Sequence, residues 1–323
     1  MGPASSLPRP RATFFRRGLA RLVARWFPLL LLTVSSWAAN DAPPPRDLLL
    51  SAAIARGQVF AVGERGLLYR SPDSGRHWTS VPSPTSATLT AIAFAPDETH
   101  GWAVGHDGVI LGTTDAGVSW RVVYRTASVE SSFLDVCVLD ATHIFAVGAY
   151  GLFVEKHPGV PDWTVRRLID DDDHFNRLAR SPAGTLYLAG ERGTLLRSRD
   201  AGASWQRLRS PYDGSFFGVL PLGGSTLLIY GLSGRLFRSA DDGDTWQRIP
   251  TNASALLATA VRLPDGAIFL AGQAPVWLVS RDDGRSVSSC SPPATMAVAQ
   301  LLLAPDGTLL AFGESGAQPL RLP

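Results

Sequence analysis

The stretch FAVGERGLLYRSPDSGRHW, Phe60 to Trp78, holds the two signals that decide the fold. A short apolar strand ends in Gly63, a two-residue tip leads to Gly66, and a second strand runs into the turn pattern S/T-x-D-x-G-x-x-W. The first signal recurs as WAVG (Trp102 to Gly105), FAVG (Phe145 to Gly148), YLAG (Tyr187 to Gly190), LIYG (Leu228 to Gly231), FLAG (Phe269 to Gly272) and AFG (Ala311 to Gly313). Its glycines are 42, 43, 42, 41, 41 and 41 residues apart. A fixed period of this length marks an architecture of stacked, near-identical units.

The second signal keeps the same period: TTDAGVSW ends at Trp120, SRDAGASW at Trp205 and SADDGDTW at Trp246. A decayed copy, SRDDGRSV, ends at Val287, and Trp163 keeps only the aromatic of a third-unit copy. The residue types explain themselves. The carboxylate and hydroxyl bond to local backbone, the glycine supplies a positive φ, and the tryptophan folds back as an apolar cap between neighbouring sheets. On this reading Asp73, Trp78, Asp115, Trp120, Asp200, Trp205, Asp241 and Trp246 build the fold and take no part in catalysis.

Each unit also carries four short strands; in the second they are LTAIAF (Leu89 to Phe94), GWAVG, VILGTT (Val109 to Thr114) and WRVVY (Trp120 to Tyr124). Seven such units predict an all-β, seven-bladed propeller of four-stranded antiparallel blades over residues 39–323. The last unit lacks its outer strand, since only QPLRLP follows its central hairpin. The segment from Pro45 to Leu50 is expected to supply that strand or the adjoining one and latch the ring.

Residues 1–38 are set apart by composition. They hold six arginines, no acid, and an apolar run from Trp26 through Val34 that is short for a membrane span. Ser36-Trp37-Ala38 offers small residues at a cleavage spacing, so a signal peptide cut after Ala38 and an exported, periplasmic or secreted product are expected. The Arg16-Arg17 pair leaves general secretion and twin-arginine export both open. The chain as a whole carries a formal charge of +2, but residues 39–323 hold 24 basic and 28 acidic residues, a net of −4. That balance speaks against nucleic-acid binding. Cys137 and Cys290 fall in different blades and in no CxxC motif, so neither a disulfide framework nor a zinc site is expected.

At these motifs the sequence resembles the photosystem II stability/assembly factor family, exported propellers built from Asp-box, or BNR-like, repeats. The resemblance covers about residues 45 to 320. The Asp boxes, the FAVG-x-x-G units and SPYDGSFFG (Ser210 to Gly218) look like its non-photosynthetic bacterial branch. It implies a non-enzymatic scaffold that binds proteins and assists assembly of a membrane complex; a monomer with no cofactor and no metal is expected. Two other classes stay open: a divergent sialidase-like glycoside hydrolase, since sialidases also carry Asp boxes, and a ligand- or cation-binding accessory protein of an envelope transporter. The F/Y-R-I-P element that begins a sialidase arginine triad is absent.

Alternating strand direction puts the box turns on one face of the propeller and the G-x-x-G tips, with the inter-blade linkers, on the other. The second face carries the candidate partner-binding residues: Glu64, Arg65, Asp107, Tyr150, Glu191 and Arg192 at the tips, and Tyr212 and Phe217 in and after the linker into blade 5. They would form a ring of Arg, Glu and Tyr around a central depression suited to a protein loop; the alternative is that they are plain solvated hairpin tips. Phe216 and Phe217 either expose one ring or fill opposite sides of the blade. Asp170 to Asp173 lacks the alternating spacing and glycine of a calcium loop and reads as a solvated acidic linker.

Overall fold

The computed structural model describes residues 45–273, 276–290 and 296–320; residues 1–38, with the expected leader and its cleavage site, lie outside them. The strands form seven antiparallel sheets, each in simple sequence order. Blade 1 runs Leu49–Ala55, Gln58–Gly63, Leu68–Ser71 and Thr79–Ser80; blade 2 runs Leu89–Phe94, Gly101–Gly105, Val109–Thr113 and Arg121–Arg125; blade 3 runs Phe133–Asp140, His143–Gly148, Phe153–Lys156 and Thr164–Arg166. Blade 4 is Phe175–Arg180, Leu186–Gly190, Leu195–Ser198 and Gln206–Arg207; blade 5 is Phe216–Gly223, Thr226–Gly231, Leu236–Ser239 and Gln247–Arg248; blade 6 is Leu257–Arg262, Ile268–Gly272, Trp277–Ser280 and Ser288–Ser289. Blade 7 has three strands among the described residues: Val298–Leu303, Leu309–Gly313 and Gly316–Leu320.

The repeating glycines have one cause. The first strand of each blade passes so close that a Cβ on Gly148 would strike the Ser132 carbonyl oxygen, and one on Gly63 that of Leu48. The same carbonyls accept the next N–H along, from Ala149 at 2.9 Å and Glu64 at 3.1 Å, and the pattern recurs in every blade through Gln273 to Leu256 and Glu314 to Ala297. Only glycine lets strand and tip close over that carbonyl.

The boxes close as compact turns. Ser71 Oγ donates to Asp73 at 2.9 Å and accepts the Gly75 N–H at 2.8 Å, while Asp73 accepts the His77 N–H at 2.9 Å. Trp78 Nε1 then donates to the Gly75 carbonyl at 2.9 Å. The blade 6 copy keeps this network through Ser280, Asp282, Gly284 and Ser286 although its tryptophan is Val287.

Apolar side chains gather at the seams between blades, so each core layer is shared by two neighbours. Phe60, Phe145 and Phe269, with Leu310 in blade 7, occupy the corresponding place in their second strands and are buried. A polar tie repeats beside this packing: at one inner-strand position Ser51, Asp135 and Thr259 accept an N–H from the following blade, from Ile92 at 3.2 Å, Leu178 at 2.7 Å and Leu301 at 3.0 Å.

Ring closure differs from the sequence expectation. Leu49 and Leu50 begin the first strand of blade 1, and Pro45 to Leu50 adds no strand to the blade 7 sheet. Pro45 instead takes the place of an inter-blade linker, its carbonyl accepting the Ala317 N–H at 3.2 Å. Side chains finish the closure. Gln300 accepts the Ala52 N–H at 3.0 Å and donates to the Ala52 carbonyl at 2.8 Å, Arg76 pairs with Asp306 at 2.8 Å, and Trp78 meets Phe312 edge-on. A seam built like the other seams serves here in place of a strand latch.

Candidate functional site

The G-x-x-G tips and the linkers share one face, joined by backbone bonds from Gly108 to Ser131, Gly151 to Asp173 and Gly193 to Gly214. At most of these tips the first residue after the hairpin corner is left-handed: Arg65, Asp107, Tyr150, Arg192 and Ser233 all have φ between 47° and 55°. The backbone thereby turns these side chains outward, whatever their chemistry.

The candidate residues do not form a ring of free groups. Arg65 is spoken for by Glu64 at 2.9 Å and lies 3.7 Å from Asp47, whose carboxylate also accepts the Tyr69 hydroxyl at 2.9 Å. That carboxylate comes second to burial in pushing the Tyr69 hydroxyl up to about 12. Glu191 accepts the His174 N–H at 3.2 Å, and Arg192 pairs with Asp173. Asp107 gives its carbonyl to Arg125 at 3.2 Å. Tyr212 turns into blade 5, stacked on Phe237 and edge-on to Phe216, with the Arg235 guanidinium 5.4 Å from its ring centre. Phe216 is fully buried, whereas Phe217 sits half-buried at an inner-strand bulge.

The acidic linker is likewise neutralised from within. Asp171 meets Arg207 at 3.1 Å, Asp172 meets Arg167 at 3.5 Å, and Asp173 holds both Arg192 and, at 2.6 Å, the Thr194 hydroxyl. Asp173 is buried, which corrects the reading of the whole run as solvated. Arg192 of the blade 4 tip, on Asp173, and Arg207 of its outer strand, on Asp171, are partners that sequence spacing alone does not bring to this run.

Tyr150 is the exception among the tips. It is 68% exposed, lies edge-on to His174, and overhangs a cleft of about 470 Å³. Ser128, Glu130, Ser131, Val165, Arg166 and Arg167 complete the walls, and only Tyr150 among them was marked by sequence. The floor is fixed: Arg166 binds Glu155 at 2.9 Å and the Gly202 carbonyl at 2.9 Å, and lies over the Phe153 ring. Val129 and Val165, at 71% and 62% exposure, add apolar surface nearby. The volume lies within the range of binding cavities, and exposed apolar groups beside fixed charges suit a polypeptide segment.

The box carboxylates are not poised for reaction. Ser286 and its own N–H, with Ser280 behind, hold Asp282 down at about 2; Ser204 and Ser198 do the same for Asp200. No group of three or more His, Cys, Asp or Glu suited to a metal occurs among the described residues. No helix there is long and apolar enough to cross a membrane. Cys137 is a buried free thiol whose burial pushes it up to about 12, and Cys290 is free and half-buried.

A family model described as photosynthesis system II assembly factor YCF48 matches residues 72–128 and 124–273. A photosystem II assembly lipoprotein Ycf48 from Synechococcus sp. (strain CC9902) is 25% identical over 188 residues, 54% of this chain and 56% of that protein. An uncharacterized protein YkuO of Bacillus subtilis (strain 168) is 42% identical over 65 residues, 20% of this chain and 21% of its own. The chain thus covers about half or less of these relatives' lengths. A solved structure of YCF48 bound to D1 peptide superposes with a TM-score of 0.68 at 19% identity, over 85% of this chain and 93% of that one. The WD40 propeller domain of Doa1 reaches the same TM-score at 10% identity, over 87% of this chain and 95% of its own, so these likenesses speak for fold alone.

Proposed function

Because the chain belongs to the photosynthesis system II assembly factor YCF48 family, we propose that it is a non-enzymatic, protein-binding propeller that holds a polypeptide segment of a membrane-complex subunit while that complex is assembled. The observation that carries this reading is the cleft beneath Tyr150 on the linker face, with Arg166 fixed in its wall and Val129 and Val165 exposed close by. An extended segment would lay apolar side chains against Tyr150 and Val165 and present polar groups to Arg167, Ser128 and Ser131. The solved YCF48 relative carrying a peptide supports the class of partner. The setting proposed is an exported one, since residues 1–38 have the composition of a leader and Ala38 the expected cleavage site.

Crosslinking and affinity capture from membranes tests the proposal with wild type and with Tyr150→Ala combined with Arg167→Ala. Wild type is expected to recover a discrete membrane-protein partner and the double variant to lose most of it at unchanged melting temperature. Equal recovery by both, or by neither, would overturn the assignment.

A further inference from the structure

Blade 3 departs from its siblings at its box turn. Ser71 and Thr113 follow the second glycine of their G-x-x-G tips by five residues, and the residue so placed in blade 3 is Lys156, after Gly151. The sequence KHPGVPDW, Lys156 to Trp163, therefore carries lysine where the box has its hydroxyl and Pro158 where it has its carboxylate. An ammonium offers no acceptor for the N–H of the fifth residue, glycine in the other boxes and Val160 here. The bonds that fold the other turns cannot form here, and the turn rests on a Val160 to His157 backbone bond of 3.1 Å.

The consequence is an opening between blades 2 and 3. Elsewhere the box glycine presses on a side chain of the preceding blade: Gly117 on Phe60, Gly202 on Phe145, Gly284 on Leu228, Gly75 on Leu310. In blade 3 the place of the box glycine is taken by Val160, and the glycine of this turn, Gly159, stands one residue earlier with nothing within 4 Å of it. Trp102, the counterpart of Phe60 and Phe145, is buried and stacked on His100, and lines a cleft of about 210 Å³. Trp163, His100, Arg121, Lys156 and Thr114 also line it.

Charge in this cleft is one-sided. Lys156 is the only lysine in the chain, and neither it nor Arg121 is engaged by a carboxylate among the described residues. The carboxylates that touch lining residues are bound inside their own turns, Asp97 by His100 at 2.7 Å and Asp115 by Thr113 at 2.7 Å. Two cations and two indoles thus line one small space, about large enough for one six-membered ring.

We propose that this cleft binds a ring-bearing carboxylate, with the carboxylate between Lys156 and Arg121 and the ring against Trp102 and Trp163. The site lies on the box face and does not rest on the linker-face reading above. An aromatic acid and an acidic sugar share this chemistry.

Ligand-observed NMR on the full chain, with benzoate, glucuronate, glucose and sulfate as probes, tests it. Benzoate or glucuronate should bind, the stronger one naming the ring type, with glucose and sulfate about tenfold weaker or worse. Lys156→Gln with Arg121→Gln should weaken binding by about tenfold at unchanged melting temperature. Failure of both ring acids to bind, sulfate binding as tightly as either, or an unaffected double variant would overturn the proposal. If that variant does not fold, wild-type acylation followed by mass spectrometry decides. A bound ring acid should slow modification of Lys156 several-fold, and absence of protection would refute the site.

Discussion

Asp282 and Asp200 are held by hydroxyl and backbone donors at about 2, below the ordinary 3.8. A carboxyl lowered by folding stabilises the native state fully above its unfolded value, and that stabilisation fades as pH falls through the folded one. The melting temperature should therefore drop between about pH 4 and pH 2, and Asp282→Ala should flatten part of that fall while lowering stability at neutral pH. A steeper acid loss in the variant would contradict the turn network as its source. At this scale the sequence is informative wherever a residue serves its own turn. The hydroxyl, carboxylate and glycine of each box lie within five residues of one another, so their pairing is legible from spacing. The pairing of Arg192 with Asp173 and of Arg207 with Asp171 crosses from hairpin to linker. Spacing carries no trace of it, and the tip arginines read as free until their neighbours are placed.

Among elements, the glycine that ends a G-x-x-G strand and the glycine of the blade 3 outer turn differ in what they do. Gly148 is extended, and it is glycine because a carbonyl lies where its side chain would be. Gly159 is left-handed with φ of 80° and faces open space. Gly148→Ala should accordingly cost about 2 kcal/mol or more through a forced backbone shift, and Gly159→Ala only about 1 kcal/mol of left-handed strain. Denaturant unfolding of the two variants checks the order, and equal costs would contradict the close-approach account. The hairpins and the strands of blade 2 are legible in sequence because their alternation and turn chemistry are local. Blade 3 shows the opposite case. Trp163 alone hints at a box, and the loss of its hydroxyl and carboxylate emerges only once Lys156 is aligned with Ser71 and Thr113.

For the whole molecule, seven units at a period near 41 residues fix the number of blades, and the seams follow because each blade can bury its faces only against its neighbours. Closure departs from the sequence expectation for a physical reason. A missing outer strand suggests a latch, but Pro45 with Gln300, Arg76 and Trp78 makes the last seam equivalent to the others without one. The partner face follows from strand alternation, whereas the cleft at Tyr150 depends on how the blade 3 tip, its outer strand and the linker from blade 2 come together, which no local pattern encodes. The most direct measurement of the central claim places a photo-crosslinking amino acid at Tyr150 on the linker face and, separately, at Val118 on the box face, and illuminates intact membranes. Tyr150 is predicted to capture a discrete membrane-protein segment that Val118 does not; capture by Val118 alone, or equally by both positions, would contradict the account.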